Sequence, residues 1–524
     1  MSEVKMIKFV VKRYDPERKC FFTSTYEVPV RRGMTLLDAL LYIKENLDET
    51  LAFRYSCRMS ICGSCAIKVN GKPMLACFTQ VLDLGTDTIV LEPLSNLPPI
   101  RDLVVDFGPF FKHMKDIRPY LIRPPGEPEE EFIQRPEEFK RYWPLARCTS
   151  CSSCVAACPA SIDDAFLGPS ALMSAYRFMI DTRDAGLGER LKLISETVWL
   201  CTSCNSCTIV CPKEIDVSNS ITEAKSLLVE EGRIARRIAD VLEAAMTYHN
   251  PLGRLQARRP EWMEGLEPPL PLASELGKAP RLLFVCCLPA FEPRHQEVAR
   301  LAASLLRSSG LKDLATLGKD EWCCGDHILR MGEKGLFEEL AEHNTSMFER
   351  YGVEEIVALS PHCYYVFKNE QPYKGLGIEV RHYTEVLAEA VSSGELRPSR
   401  SLGGLRVAYH DPCFLGKRSG IYEAPRVLLS SLPGLELVEF ERNRENSFCC
   451  GGGAGRVWTE EAEPEKRPSV NRLREALELG VDVIATACPF CTCMLEDAAK
   501  VLDVEEKIRI MDVAELLARA LGLA

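Results

Sequence analysis

Apolar and polar positions are patterned differently along the chain's length. Residues 7–14 and 21–28 read as two strands, rich in Ile, Phe, Val and Tyr. Thr35-Leu36-Leu37-Asp38 is a capping box that opens a helix running to about Leu47. Residues 66–69 and 73–77 are extended runs joined by Asn70-Gly71, a pair that tolerates the positive φ of a type I′ turn. Pairing about that turn sets residue 65 opposite residue 76. Beyond residue 280 strands and helices alternate: strand 281–285, helix 333–351 and strand 354–359, then strand 405–410, helix 469–479 and strand 481–487. The amphipathic segment 513–521 is expected to pack its apolar face on a core rather than on a membrane. Apolar runs such as 282–288 are strand-sized, so no membrane span is expected.

Composition narrows the chemistry. The 524 residues include 24 cysteines and carry a formal charge of −11, which argues against a nucleic-acid partner. With no secretory signal at the amino terminus, the thiols are expected in a reducing cytoplasm, where they serve as metal ligands or redox groups. Stretches 123–143 and 251–280 are rich in proline and 392–404 is polar; these read as boundaries or linkers.

The cysteines fall into groups with recognisable spacing. Cys57-x4-Cys62-x2-Cys65, followed by Cys77, is the plant-type ferredoxin arrangement for a [2Fe–2S] cluster. The 70–71 hairpin brings the fourth ligand beside Cys65, and Gly63 frees the loop to aim N–H groups at a negative cluster. Cys20 lies in a strand and reads as a core residue. Cys148-x2-Cys151-x2-Cys154-x3-Cys158-Pro159 recurs as Cys201-x2-Cys204-x2-Cys207-x3-Cys211-Pro212. In such runs the fourth cysteine serves the other cluster. One [4Fe–4S] set is therefore Cys148, Cys151, Cys154 and Cys211; the other is Cys201, Cys204, Cys207 and Cys158.

Residues 1–240 resemble the iron–sulfur subunit of the succinate dehydrogenase/fumarate reductase family. The carriers are Arg54-Tyr55-Ser56-Cys57, Ile61-Cys62-Gly63-Ser64-Cys65, Leu75-Ala76-Cys77 and both Cys-Pro runs. Respiratory members commonly lack the second cysteine of the last run and hold a [3Fe–4S] cluster beside a quinone site. Cys204 occupies that position here, so a second [4Fe–4S] is implied instead.

The carboxyl-terminal half is an internal repeat. Cys413 is followed after 35 residues by Cys449-Cys450-Gly451 and then by Cys488-Pro489-Phe490-Cys491. In the first copy Cys287 is followed after 35 residues by Cys323-Cys324-Gly325, then by Ser360-Pro361-His362-Cys363. Strand carboxyl ends, where such sheets bind ligands, would carry these cysteines. This half resembles the CCG-domain proteins of heterodisulfide reductase, whose cysteines hold a noncubane iron–sulfur cluster. The resemblance assigns that cluster to Cys413, Cys449, Cys450, Cys488 and Cys491. The first copy, with Cys287, Cys323, Cys324 and Cys363 but a serine at 360, is left open between zinc, a further cluster and nothing. Cys286 and Cys493 read as spare neighbours, and His327, His362 and His410 as ordinary hydrogen-bonded histidines. Gly451-Gly452-Gly453-Ala454-Gly455 fits a loop wrapping a cluster better than a dinucleotide motif.

The expected class is multidomain, α+β and α/β. A β-grasp [2Fe–2S] ferredoxin domain spans residues 1–105 and a helical domain with two [4Fe–4S] clusters spans 106–245. A linker, 246–280, leads to CCG domains at 281–395 and 400–524. The resemblances imply oxidation of coenzyme M and coenzyme B thiols to the heterodisulfide at the second CCG site. The electrons would reduce fumarate on a flavoprotein partner that alone carries FAD. The alternatives are a succinate dehydrogenase subunit whose CCG half serves a quinone or a peripheral membrane partner, and an electron carrier with a zinc-bound CCG half.

Overall fold

The computed structural model of the protein describes residues 4–124, 126, 131–459 and 463–523. It divides into two compact units, Met1–Val198 with Asn205–Ala224, and Trp199–Cys204 with Lys225–Ala524.

The first unit opens with a five-stranded mixed sheet. Strand Lys5–Asp15 pairs antiparallel with Cys20–Val30 on one side and parallel with Thr88–Glu92 on the other. Alternation turns Ile7, Phe9 and Val11 inward, where all three are buried. Helix Leu36–Asn46 covers this face with Leu36, Leu37, Leu40 and Ile43. Its start is the expected capping box, Thr35 Oγ1 accepting from the Asp38 N–H and the Asp38 carboxylate accepting from the Thr35 N–H. Strands Ala66–Val69 and Lys72–Leu75 form the expected hairpin, with Asn70 at φ 47° and Gly71 at φ 80°. Register places the Ala76 N–H on the Cys65 carbonyl at 3.1 Å. One expectation fails: Cys20 shares the register of the buried Val28 and Val30 but stands at the strand's exposed first residue, so it is no core residue. Helices Pro136–Ala146, Pro169–Met179 and Leu187–Ile194 follow. Helix Pro136–Ala146 lies partly within the stretch read as a boundary, and buries Tyr142 and Leu145. Residues 125 and 127–130 of that stretch lie outside the described residues.

The second unit contains the repeat. Each copy is a four-stranded parallel sheet with the same order. In the first, Glu379–His382, Glu355–Ala358, Arg281–Phe284 and Leu314–Ala315 lie side by side. In the second, the corresponding neighbours are Arg509–Asp512, Val483–Thr486, Leu405–Tyr409 and Leu435–Val438. One apolar core serves both copies, joining Leu283 and Val357 of the first to Val407, Val483, Leu516 and Leu517 of the second. Arg294 reinforces the junction with ion pairs to Glu496 and Glu515 at 2.7 and 2.9 Å. Helix Val513–Leu521 is buried along most of its length, as its apolar face anticipated. Among the described residues no helix is long and apolar enough to cross a membrane.

The segment expected as a linker, 246–280, is packed. It carries a 3-10 helix at Gln256–Met263, and Trp262, Leu266 and Leu270 enter the shared core. Pro260 lies inside that helix, and the segment is a strap over the first copy rather than a free tether. Trp262 is 1% exposed, and emptying such a site costs about 3–5 kcal/mol. Trp262→Ala should lower the thermal midpoint of the chain by several degrees and open residues 250–280 to limited proteolysis. An unchanged melting curve would show the strap to be dispensable.

Candidate iron–sulfur sites

The ferredoxin loop is shaped around sulfur. Arg58, Ser60 and Gly63 all take positive φ, turning successive backbone N–H groups toward the thiols. Cys57 Sγ accepts from the N–H groups of Met59, Ile61 and Cys62 at 3.4, 3.3 and 3.2 Å. Cys77 Sγ accepts from Ser60 at 3.3 Å and Cys65 Sγ from Cys77 at 3.4 Å. A hydrogen bond with Ser64 brings the Cys62 thiol down to about 6, while burial pushes the Cys65 thiol up to about 12. Four sulfurs ringed by inward N–H groups suit an anionic [2Fe–2S] cluster.

Cys148, Cys151, Cys154 and Cys211 line one cavity in the same unit. Ser150 and Ser152 take φ 53° and 61°, and the second run repeats this with Ser203 at 51° and Asn205 at 69°. These left-handed residues, each flanking a cysteine, curl both loops into concave nests. Burial raises the Cys154 thiol far above its ordinary value, with added repulsion from Cys151 and Cys148. Bringing these four thiols together in a cavity suits a [4Fe–4S] cluster. Gly63 explains how the first two sites approach: a Cβ there would lie 2.7 Å from the Thr149 carbonyl and 2.8 Å from Cys151 Cα. Only a glycine lets the ferredoxin loop rest on the cubane loop.

The second run is divided between the units. Cys207 belongs with Cys158 in the first unit and is buried there, whereas Cys201 and Cys204 belong to the second. In the second unit Cys204 is hydrogen-bonded to Cys449, and Thr202 Oγ1 stands 3.7 Å from the same sulfur. Arg418 donates to the Ser203 carbonyl at 2.8 Å, Arg456 to that of Leu200 at 3.0 Å, and buried Lys225 to that of Cys201 at 3.0 Å. The glycine-rich loop makes room for this contact. A Cβ at Gly453 would fall 2.2 Å from the Thr202 carbonyl.

The second copy gathers its thiols at the strand ends. The free thiols of Cys413, Cys449, Cys450, Cys491 and Cys488 neighbour one another in that order, Cys449 Sγ standing 4.0 Å from Cys413 Sγ. All of them are buried, and Gly451 N–H reaches Cys449 Sγ at 3.3 Å. A ring nitrogen of His410 lies within 4.8 Å of the Cys450 and Cys491 sulfurs. Burial, then Arg472, lowers that imidazole to about 3, so it is neutral; Arg472 Nε donates to its Nδ1 at 3.2 Å. The first copy contributes too. His362 is hydrogen-bonded to Cys488, and its Nδ1 pairs with Asp326 at 2.6 Å. Burial would lower His362, but Asp326 and Cys488 raise it to about 10. Burial in turn pushes Cys488 upward, and bonds with Cys491 and His362 outweigh that to hold it near 5. Phe414 stacks on His362 at 4.0 Å and Phe490 lies 4.2 Å from His327, both rings buried.

In the first copy Cys287, Cys323, Cys324 and Cys363 are all buried, and so is Cys286. Ser360 is turned away into a helix cap, its Oγ accepting from the His362 N–H at 3.3 Å. Cys286 is hydrogen-bonded to Cys363 and is therefore no idle neighbour. Arg259, from the strap, stands with Nη1 3.7 Å from Cys287 Sγ. Residue spacing offers no pointer to Arg259, whereas the adjacent Cys286-Cys287 pair was a usable signal for this site. Cys493 stays half-buried beside Glu496 and Asp497.

Comparison with known proteins matches three kinds of domain to the chain. Residues 8–112 match a 2Fe-2S iron-sulfur cluster binding domain, 144–215 a 4Fe-4S dicluster domain, and 282–368 and 407–496 a cysteine-rich domain. An uncharacterised iron–sulfur protein of Methanocaldococcus jannaschii is 33% identical, covering 98% of this chain and 100% of its own. One subunit of the fumarate reductase (CoM/CoB) of Methanothermobacter marburgensis is 30% identical, covering 98% and 99%. EtfAB:quinone oxidoreductase of Syntrophomonas wolfei is 36% identical over 62% of this chain and 47% of its own length.

The two close approaches are testable together. Gly63→Ala and Gly453→Ala should each slow electron passage between neighbouring sites about tenfold or more in stopped-flow reduction, with iron content largely kept. Unchanged rates in both variants would show that these approaches do not set the pathway.

Proposed function

The chain belongs to the iron–sulfur protein family that includes the M. jannaschii protein and the M. marburgensis fumarate reductase (CoM/CoB) subunit, and from that premise we propose that its second CCG copy oxidises two thiols for fumarate reduction on a flavoprotein partner. Whatever the thiol, this is an iron–sulfur electron-transfer subunit of the fumarate reductase/succinate dehydrogenase type.

The proposed half-reactions balance. Coenzyme M and coenzyme B thiols become the heterodisulfide and release two electrons and two protons. Fumarate takes up two electrons and two protons to become succinate. Iron–sulfur clusters, when bound, supply the one-electron steps between these two-electron couples. In this reading Cys413, Cys449, Cys450, Cys488 and Cys491 hold iron, while Gly451 N–H and His362 hydrogen-bond two of the sulfurs. Phe414 and Phe490 pack on the His362 ring that serves Cys488. The observation that carries the proposal is Cys204 on Cys449: a ferredoxin-run cysteine touches a cysteine of the thiol-oxidising set. At the other end, the ferredoxin loop bearing Cys57, Cys62, Cys65 and Cys77 would face the flavoprotein.

The match to EtfAB:quinone oxidoreductase favours a second reading, in which the same half exchanges electrons with a quinone. An assay of the complex with its flavoprotein, using fumarate as acceptor, separates the two. Coenzyme M plus coenzyme B should yield one heterodisulfide per succinate, and Cys450→Ala should lower that rate at least 100-fold. Activity with a quinol and none with the thiols would overturn the proposal in favour of the second reading.

A further inference from the structure

We propose that the first CCG copy is itself a complete iron–sulfur cluster site, in which the Cys286 thiolate fills the position that Ser360 leaves vacant. The inference rests on the reading of the second copy as a cluster site and extends it to a set of residues whose motif is broken.

The carrying observation is that the two copies hold their thiols in the same order. In the second copy Cys413, Cys449, Cys450, Cys491 and Cys488 are all buried at the strand ends, neighbouring one another in that order, with Cys449 Sγ 4.0 Å from Cys413 Sγ. In the first, Cys287, Cys323, Cys324, Cys363 and Cys286 are likewise all buried and neighbour one another in the same order. Each member has its counterpart, and Cys286 stands in the place of Cys488. Cys363 and Cys491 each follow shortly after a helix cap, the caps being Ser360 and Cys488. The missing thiol is thus replaced from the neighbouring strand end, after Arg281–Phe284 instead of after Glu355–Ala358. Gly325 N–H meets Cys323 Sγ at 3.4 Å, the counterpart of Gly451 on Cys449 at 3.3 Å.

Three further features show that this arrangement is built. Cys286 adopts φ 76° and ψ 164°, a region open essentially to glycine alone. Such a conformation persists only where the surroundings enforce it. Here the Glu321 carboxylate accepts from the Val285 and Cys286 N–H groups at 3.1 and 3.2 Å and pins the turn. The backbone of the double cysteine is likewise held, with Asn344 donating to the Cys323 carbonyl at 3.1 Å and Tyr373 to that of Cys324 at 3.2 Å. Finally, Arg259 is fully buried, pairs with Glu321, and turns Nη1 toward Cys287 Sγ. With its charge answered by Glu321, Arg259 still presents Nη1–H as a donor to a sulfur of the set. Five thiols exceed the four that tetrahedral zinc takes.

The test is iron, acid-labile sulfide and zinc content, with Mössbauer spectra, on the full chain and its variants. Cys286→Ser should lose the iron of one cluster while the [2Fe–2S] and [4Fe–4S] signals persist. Ser360→Ala, which changes a helix cap and no ligand, should keep all of it. Cys450→Ser reports on the second copy alone. Iron loss in Cys450→Ser but none in Cys286→Ser overturns this inference and leaves the reading of the second copy standing; loss in neither overturns both. Zinc that disappears in Cys286→Ser, or iron loss in Ser360→Ala equal to that in Cys286→Ser, also overturns it.

Discussion

Anionic sulfur buried away from water is the constraint on which the rest of this structure depends. A desolvated charge costs several kcal/mol unless hydrogen bonds and opposite charge answer it. The chain answers it in three ways. Left-handed residues between cysteines turn N–H groups inward in the ferredoxin and cubane loops. Cys-Cys-Gly turns place a glycine N–H on the first sulfur of each pair. Buried cations stand behind the sites, with Arg259 beside Cys287, His362 bonded to Cys488, and Arg472 behind His410.

Close packing then links neighbouring sites without added machinery. In each unit a glycine lets one cysteine loop lie against another, Gly63 on the Thr149–Cys151 backbone and Gly453 on Thr202. Duplication serves the same end. Because the two copies share one core, the first can lend His362 to the second, and the pair acts as one body. The strap at 246–280 closes that body and delivers Arg259.

Much of this was legible in the sequence. Spacing identified the ferredoxin loop, the two cubane runs and the repeat, because a cluster demands thiols at set intervals whatever surrounds them. Asn70-Gly71 and Thr35–Asp38 were legible for a similar reason: each acts through local backbone geometry. What escaped depended on contacts far apart in the chain. The exposure of Cys20 follows from how far along its strand the covered part of that face extends. The burial of Trp262 follows from a core shared by both copies, so proline content alone suggested a tether. The doubled Cys286-Cys287 was a signal, but the neighbourhood of Cys286 and Cys363 is set by a strained turn between two strand ends. The partnership of His362 with Cys488 joins residues 126 positions apart.

The central claim is that thiol substrates meet iron at the second copy. Electron paramagnetic resonance of the isolated, oxidised chain tests it most directly. Adding coenzyme M should alter one signal beyond those of the [2Fe–2S] and [4Fe–4S] clusters, and Cys450→Ser should abolish that response. A spectrum indifferent to the thiol, or a response that survives Cys450→Ser, would contradict the account.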